Sequence, residues 1–116
     1  MLQVTPHMRI LVCMQAIDFR KGIDGFAAIC RNHLKQDPHN GTLFLFRSRS
    51  RYSIKILMYD GQGFWLCTKR LSQGRFKWWP QGGSEIAVIH SWELQTLFGN
   101  GDPSLADFGQ DWKKLH

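Results

Sequence analysis

The sequence predicts an α+β fold: an antiparallel β-meander of about four to five strands packed against one main amphipathic helix, with a short C-terminal helix. Two observations carry most of this. Between Leu43 and Trp79 four short apolar–basic runs alternate with turn signals, and ahead of them one apolar stripe recurs at helical spacing. Composition sets the scale: 116 residues, 43 % hydrophobic and 21 % charged, suit a single globular domain. No apolar run approaches the ~20 residues that a membrane span needs.

In chain order, Ile10-Leu11-Val12-Cys13-Met14 is β-branched enough for a buried strand, although periodicity alone does not separate such a run from a buried helix. Asp18 is a good N-cap, since its carboxylate would accept from free first-turn amides. Behind it Ile23, Phe26, Ala27, Cys30 and Leu34 fall on one helical face. Gly22 and Gly25 cost about 1 kcal/mol each in a helix, so they imply tight packing or close approach to a ligand. Arg20 and Lys21 sit where the helix dipole disfavours cations; they are either simply exposed or available to an anion. Asp37-Pro38 and Asn40-Gly41 then mark a loop.

The four runs are Leu43–Arg47, Ile54–Tyr59, Phe64–Arg70 and Arg75–Trp79. Asp60-Gly61-Gln62-Gly63 joins the second to the third, and Ser72-Gln73-Gly74 joins the third to the fourth; both are hairpin signals. Between the first two runs Arg47-Ser48-Arg49-Ser50-Arg51-Tyr52-Ser53 forms a polar, basic tip. After Pro80-Gln81-Gly82-Gly83, Ile86–Ile89 offers one more strand. Ser91 would cap a helix with Trp92, Leu94, Leu97 and Phe98 as its apolar stripe. One compact domain over residues 1–98 and a weakly ordered tail over 99–116 follow.

Charge is concentrated. Eight basic residues between Arg47 and Lys77 face one acid, Asp60, in a chain whose net charge is +6. With five Trp and eight Phe, a basic aromatic sheet would suit a polyanion, its cations neutralising phosphate and its rings stacking. The candidate nucleic-acid-binding residues are Arg20, Lys21, Arg47, Arg49, Arg51, Lys55, Lys69, Arg70, Arg75 and Lys77. For the tip, the bland alternative is a charged edge that only discourages strand pairing.

Cys13, Cys30 and Cys67 are odd in number, form no Cys-x-x-Cys pair and sit among apolar neighbours, so they read as buried free thiols. The spacing of His33, Asp37 and His39 suits no recognised metal site. No phosphate loop, nucleophile elbow or converging carboxylates appear, so no catalytic residue, metal or cofactor is expected. The N-terminus carries no secretory pattern, which points to the cytoplasm.

Several motifs occur together in one order: Asp18-Phe19-Arg20-Lys21-Gly22 with Asp24-Gly25-Phe26, Asp37-Pro38 through Gly41-Thr42-Leu43-Phe44-Leu45-Phe46-Arg47, Ile54-Lys55-Ile56-Leu57 through Asp60-Gly61, Gly63-Phe64-Trp65-Leu66 through Lys69-Arg70-Leu71, and Gly74-Arg75-Phe76 with the Trp-Pro. Over roughly residues 5–98 the chain resembles the small TnpB accessory proteins, the Orf-two-like family, of insertion sequences of the IS sixty-six type. Two departures stand out. The family usually has a glycine-containing, more basic tip where this chain has Ser50-Arg51-Tyr52-Ser53, and a single Trp where this chain has Trp78-Trp79-Pro80. The resemblance implies a non-catalytic accessory role in transposition beside a separate transposase, with DNA and that transposase as partners. The alternative it leaves open is a protein–protein interaction subunit with no DNA contact. No membrane partner is expected, and the oligomeric state stays open.

Overall fold

A computed structural model describes residues 4–105. Its elements are β1 (Ile10–Cys13), α1 (Ile23–Asn32), β2 (Leu43–Arg47), β3 (Ser53–Tyr59), β4 (Phe64–Arg70), β5 (Ile86–Ile89) and α2 (Ser91–Phe98), with a short 3-10 turn at Pro103–Leu105. The five strands form one sheet in the order β4-β3-β2-β1-β5. The α+β class and the main and C-terminal helices stand as expected.

The sheet is mixed rather than a pure meander. β2, β3 and β4 form the expected antiparallel hairpins, with Leu45 opposite Ile56 and Ile56 opposite Cys67. β1, however, enters between β2 and β5, parallel to β2 and antiparallel to β5. Adjacent parallel strands need a long crossover, and here α1 supplies it. β1 is buried along its whole length, which its unbroken apolar run Ile-Leu-Val-Cys permits.

The run Arg75–Trp79 is not a strand. Leu71 to Gly74, with Gly74 at φ 74°, turns the chain away from the free edge of β4. Phe76 and Trp79 then pack into the core beneath one sheet face, with Ile10, Leu45, Leu94 and Leu97. The backbone of this segment bonds to loops instead of a strand. Phe76 N–H donates to the Arg51 carbonyl (2.8 Å), and Lys77 N–H donates to Asn100 Oδ1 (2.9 Å).

The other face carries Leu11, Cys13, Phe44, Phe46 and Leu57 and is covered by Phe26, Ala27, Cys30 and Leu34. Phe26 meets Phe46 edge to face at 4.8 Å, and full burial of such a ring contributes about 1.5–3 kcal/mol. The apolar helical stripe thus does the packing assigned to it, except that Ile23 at its head stays 38 % exposed. α1 ends with Lys35 at φ 58° and Gln36 N–H on the Cys30 carbonyl at 2.8 Å.

Both caps differ from expectation. α1 has Gly22 at its N-cap with no side-chain cap bond, and Asp18 turns instead to Arg20. A Cβ on Gly22 would meet nothing, whereas one on Gly25 would approach Lys21 Cβ to 2.9 Å, so Gly25 makes room for the lysine stem. For α2 the cap position is His90, whose N–H donates to Glu93 Oε1 at 2.7 Å, and Ser91 is the first helical residue. Residues 106–116, most of the segment expected to be a weakly ordered tail, lie outside the described residues.

Candidate nucleic-acid interface

The β2–β3 hairpin tip is pinned by short-range bonds. Ser48 N–H donates to the Ser53 carbonyl (3.0 Å), Arg51 N–H to the Ser48 carbonyl (3.1 Å), and Ser53 N–H to Ser48 Oγ (3.2 Å). Ser48 and Ser50 hydroxyls share a bond of 2.9 Å. Arg51 adopts φ 68°, a left-handed conformation that costs a non-glycine residue about 1–2 kcal/mol. This is the stretch where the resembled family usually carries a glycine. The chain after β4 returns beside the tip, with Leu71 N–H on the Tyr52 carbonyl and Phe76 N–H on that of Arg51, both at 2.8 Å. Arg70 and Arg75 therefore border the tip, and the Arg70 guanidinium lies 5.0 Å from the Tyr52 ring centre.

A second segment joins from the other side. Ile17 N–H donates to the Arg47 carbonyl (2.9 Å), and Ile17 makes a parallel bridge with Ser48. That bridge brings Asp18, Arg20 and Lys21 against residues thirty positions further along the chain. Between Ile17–Arg20 and Ser48–Ser50 lies an open groove of about 460 Å³. A second hollow of about 390 Å³, reaching Lys21, Ile29 and His33, adjoins it. Asp18 and Arg49 line both.

Asp18 is heavily engaged. Its carboxylate accepts from Arg20 N–H (3.0 Å), from Arg20 Nε (3.1 Å to each oxygen) and from Nη2 (2.7 Å). The guanidinium bonds foremost, and then the amide, hold the carboxyl well below the usual carboxylate range. Arg20 itself is 90 % exposed, with the Nη1 side of its fork free of Asp18.

The ten sequence-derived residues divide. Arg20, Lys21, Arg49 and Arg51 gather at the tip, with Arg70 and Arg75 beside them. The other four are spread through the fold. The Arg47 guanidinium lies 5.2 Å from the Trp79 ring centre, its Nε is buried without a hydrogen bond, and burial, with Arg51 nearby, lowers its pKa. Lys55 Nζ sits 5.6 Å from the Phe19 ring and 5.9 Å from the Phe26 ring. Lys69 donates to the Phe98 carbonyl at the negative end of α2. Lys77 is exposed on a separate cleft lined by Trp78, Pro80 and Val88.

Five of the rings expected to stack on bases are structural: Phe26, Phe44, Phe46, Phe76 and Trp79 are all buried. Trp79 even spends its indole N–H inside, on the Cys13 carbonyl at 3.3 Å. Tyr52 is the aromatic side chain within the tip, partly exposed under Arg70. Sequence reasoning missed Asp18 as a groove residue, because an acid ahead of an apolar helical stripe reads as its cap. The Ser48 and Ser50 hydroxyls were signalled by their alternation with arginines.

Little else on the surface suggests chemistry. Cys13 and Cys30 are buried, and desolvation pushes the Cys30 thiol up to about 12, far from a reactive thiolate. Among the described residues no group of three His, Cys, Asp or Glu could hold a metal ion, and no helix is long and apolar enough to cross a membrane.

Comparison with known proteins bears on residues 8–104, which match the family model described as IS66 Orf2 like protein. An uncharacterized protein of Sinorhizobium fredii, y4hO, is 39 % identical over 88 residues, 76 % of either chain. A second from the same organism, y4jC, is 37 % identical over 76 residues, covering 66 % of this chain and 65 % of its own. No solved structure matches. The matched span contains all five strands, both helices and every residue of the basic tip, and the chain belongs to the IS66 Orf2-like family, which implies an accessory protein of an insertion sequence.

Proposed function

We propose that this protein is a non-catalytic DNA-binding accessory of transposition, working beside a separate transposase. Its DNA contact is the basic tip, with Arg49 and Arg51 at the centre, Arg20 and Lys21 on one side and Arg70 and Arg75 on the other. One observation carries this reading. Cations from three separated stretches of chain converge on one pinned loop, although like charges repel and the core gains nothing from gathering them. Guanidinium forks and serine hydroxyls are suited to phosphate oxygens. Within the tip Tyr52 is the one aromatic side chain and it lies under Arg70, so base stacking has little part in this contact, and the duplex backbone is the preferred substrate. The same proposal assigns no catalytic residue and no cofactor.

The test is duplex binding by fluorescence anisotropy across a salt series. The expected result is log–log linear weakening with a slope of about −0.9 per phosphate engaged, similar on element-end and scrambled DNA. A slope near zero, or no binding at low salt, would overturn it. A second reading, docking on the transposase without DNA, is favoured by the cleft of about 520 Å³ beside Trp78 and Val88, the latter 66 % exposed. Co-purification of the two proteins after nuclease treatment distinguishes it.

A further inference from the structure

We infer that Asp18 is a built-in competitor for phosphate in the groove between Ile17–Arg20 and Ser48–Ser50. This inference rests on the phosphate-binding role proposed for the tip and names what sets its affinity. The carboxylate occupies the place that an incoming anion would take. It forms part of the wall of both hollows, as Arg49 does, with Arg20 on one hollow and Lys21 on the other. It is the one acidic residue lining either hollow. It also engages the Nε–Nη2 side of Arg20, a geometry in which a phosphate would be gripped equally well.

Beyond the local turn closed by Arg20 N–H on the Asp18 carboxylate, the pair has little part in the fold. Asp18 does not cap α1, and exposed ion pairs contribute little to stability. Its retention is bound to cost affinity, because a carboxylate beside a bound phosphate repels it and keeps Arg20 half neutralised. The consequence is a protein that holds DNA weakly enough to exchange. Arg20 Nη1 can meet a phosphate oxygen only weakly until Asp18 is neutralised or its hold on the fork is broken.

The experiment compares the full-length wild type with Asp18→Asn and Asp18→Ala. Either change should tighten duplex binding about two- to fivefold at moderate salt. It should also steepen the salt slope by up to ~0.9, one further phosphate contact. Arg20→Ala alone should weaken binding, though by less than either central arginine because Asp18 already half neutralises it, and Asp18→Asn with Arg20→Ala together should lose the gain seen with Asp18→Asn. Equal or weaker binding by both Asp18 variants, with melting temperatures unchanged, overturns the inference and makes Asp18 a positioning group for Arg20. A second arm follows inorganic pyrophosphate binding through the Arg side-chain Nε–H resonances. If the variants bind pyrophosphate more tightly while no form binds DNA, the competitor stands and the DNA reading falls. If pyrophosphate affinity is also unchanged, the competitor falls by itself.

Discussion

The basic strands and the basic tip are made of the same residue types, yet the fold uses them in opposite ways. On β2 and β3 the cations Arg47 and Lys55 are half-buried and find partners within the protein, and on the exposed end of β4 Lys69 finds one too. Arg47 lies over Trp79, Lys55 over Phe19 and Phe26, and Lys69 reaches the last carbonyl of α2. At the tip Arg49 and Arg51 stay exposed and the backbone rather than their side chains is tied down. Positive charge along a chain therefore does not locate a binding surface. What separates these cations is an internal partner: an aromatic face or a helix end holds Arg47, Lys55 and Lys69, the heads of Arg49 and Arg51 are exposed, and Arg70 is exposed yet lies 5.0 Å from the Tyr52 ring.

The sharpest way to break this comparison is Trp79→Ala. If Trp79 is the buried floor under Arg47, the change should cost about 3–5 kcal/mol in urea unfolding. A loss below about 1 kcal/mol would mean the indole is a surface ring and Arg47 is free after all. Next in size is the double variant Arg49→Ala with Arg51→Ala. It should flatten the salt dependence of duplex binding by up to ~2 units while the melting temperature stays within a few degrees. Comparable losses on specific and scrambled DNA are expected, since phosphate contacts position without reading bases.

Lys69→Met examines the strand class directly. Removing a cation from the C-terminal end of α2 should cost about 0.3–1 kcal/mol of stability. The salt slope should move by less than about half a unit, because that lysine's charge is already committed. A large slope change with intact stability would transfer Lys69 to the binding surface. The smallest effect concerns backbone strain. Arg51→Gly relieves the positive φ but adds unfolded-state entropy, and the two nearly cancel, so stability should change by at most ~1 kcal/mol. Arg51→Ala keeps the strain and should be the less stable of the pair by thermal melting, with equal loss of DNA affinity.

Much of the architecture was legible before any coordinates. Asp60-Gly61 closes the β3–β4 hairpin, with Gly61 at φ 96° and the Asp60 carboxylate accepting from the Gln62 and Gly63 amides. The stripe Phe26, Ala27, Cys30 and Leu34 packs as its spacing requires. The fourth run misled because Arg75–Trp79 has the composition of an edge strand. Nothing local reveals that Phe76 and Trp79 are needed beneath the sheet instead of beside it. The candidate site was legible as a set of residue types and not as a surface: six of the ten cations meet at one end and four do not.

By itself the sequence determined the turns, the helix stripe and the α+β class, because these follow from φ/ψ preferences and periodicities that act over a few residues. Only the tertiary structure decided that β1 inserts parallel to β2, that the 75–79 segment leaves the sheet, and that Asp18 faces Arg49 across a groove. Each of these depends on contacts between residues tens of positions apart. A strand's apolar run records that it is buried but not which neighbour buries it. An arginine's place in the chain records its charge but not whether a ring, a carboxylate or open solvent awaits it.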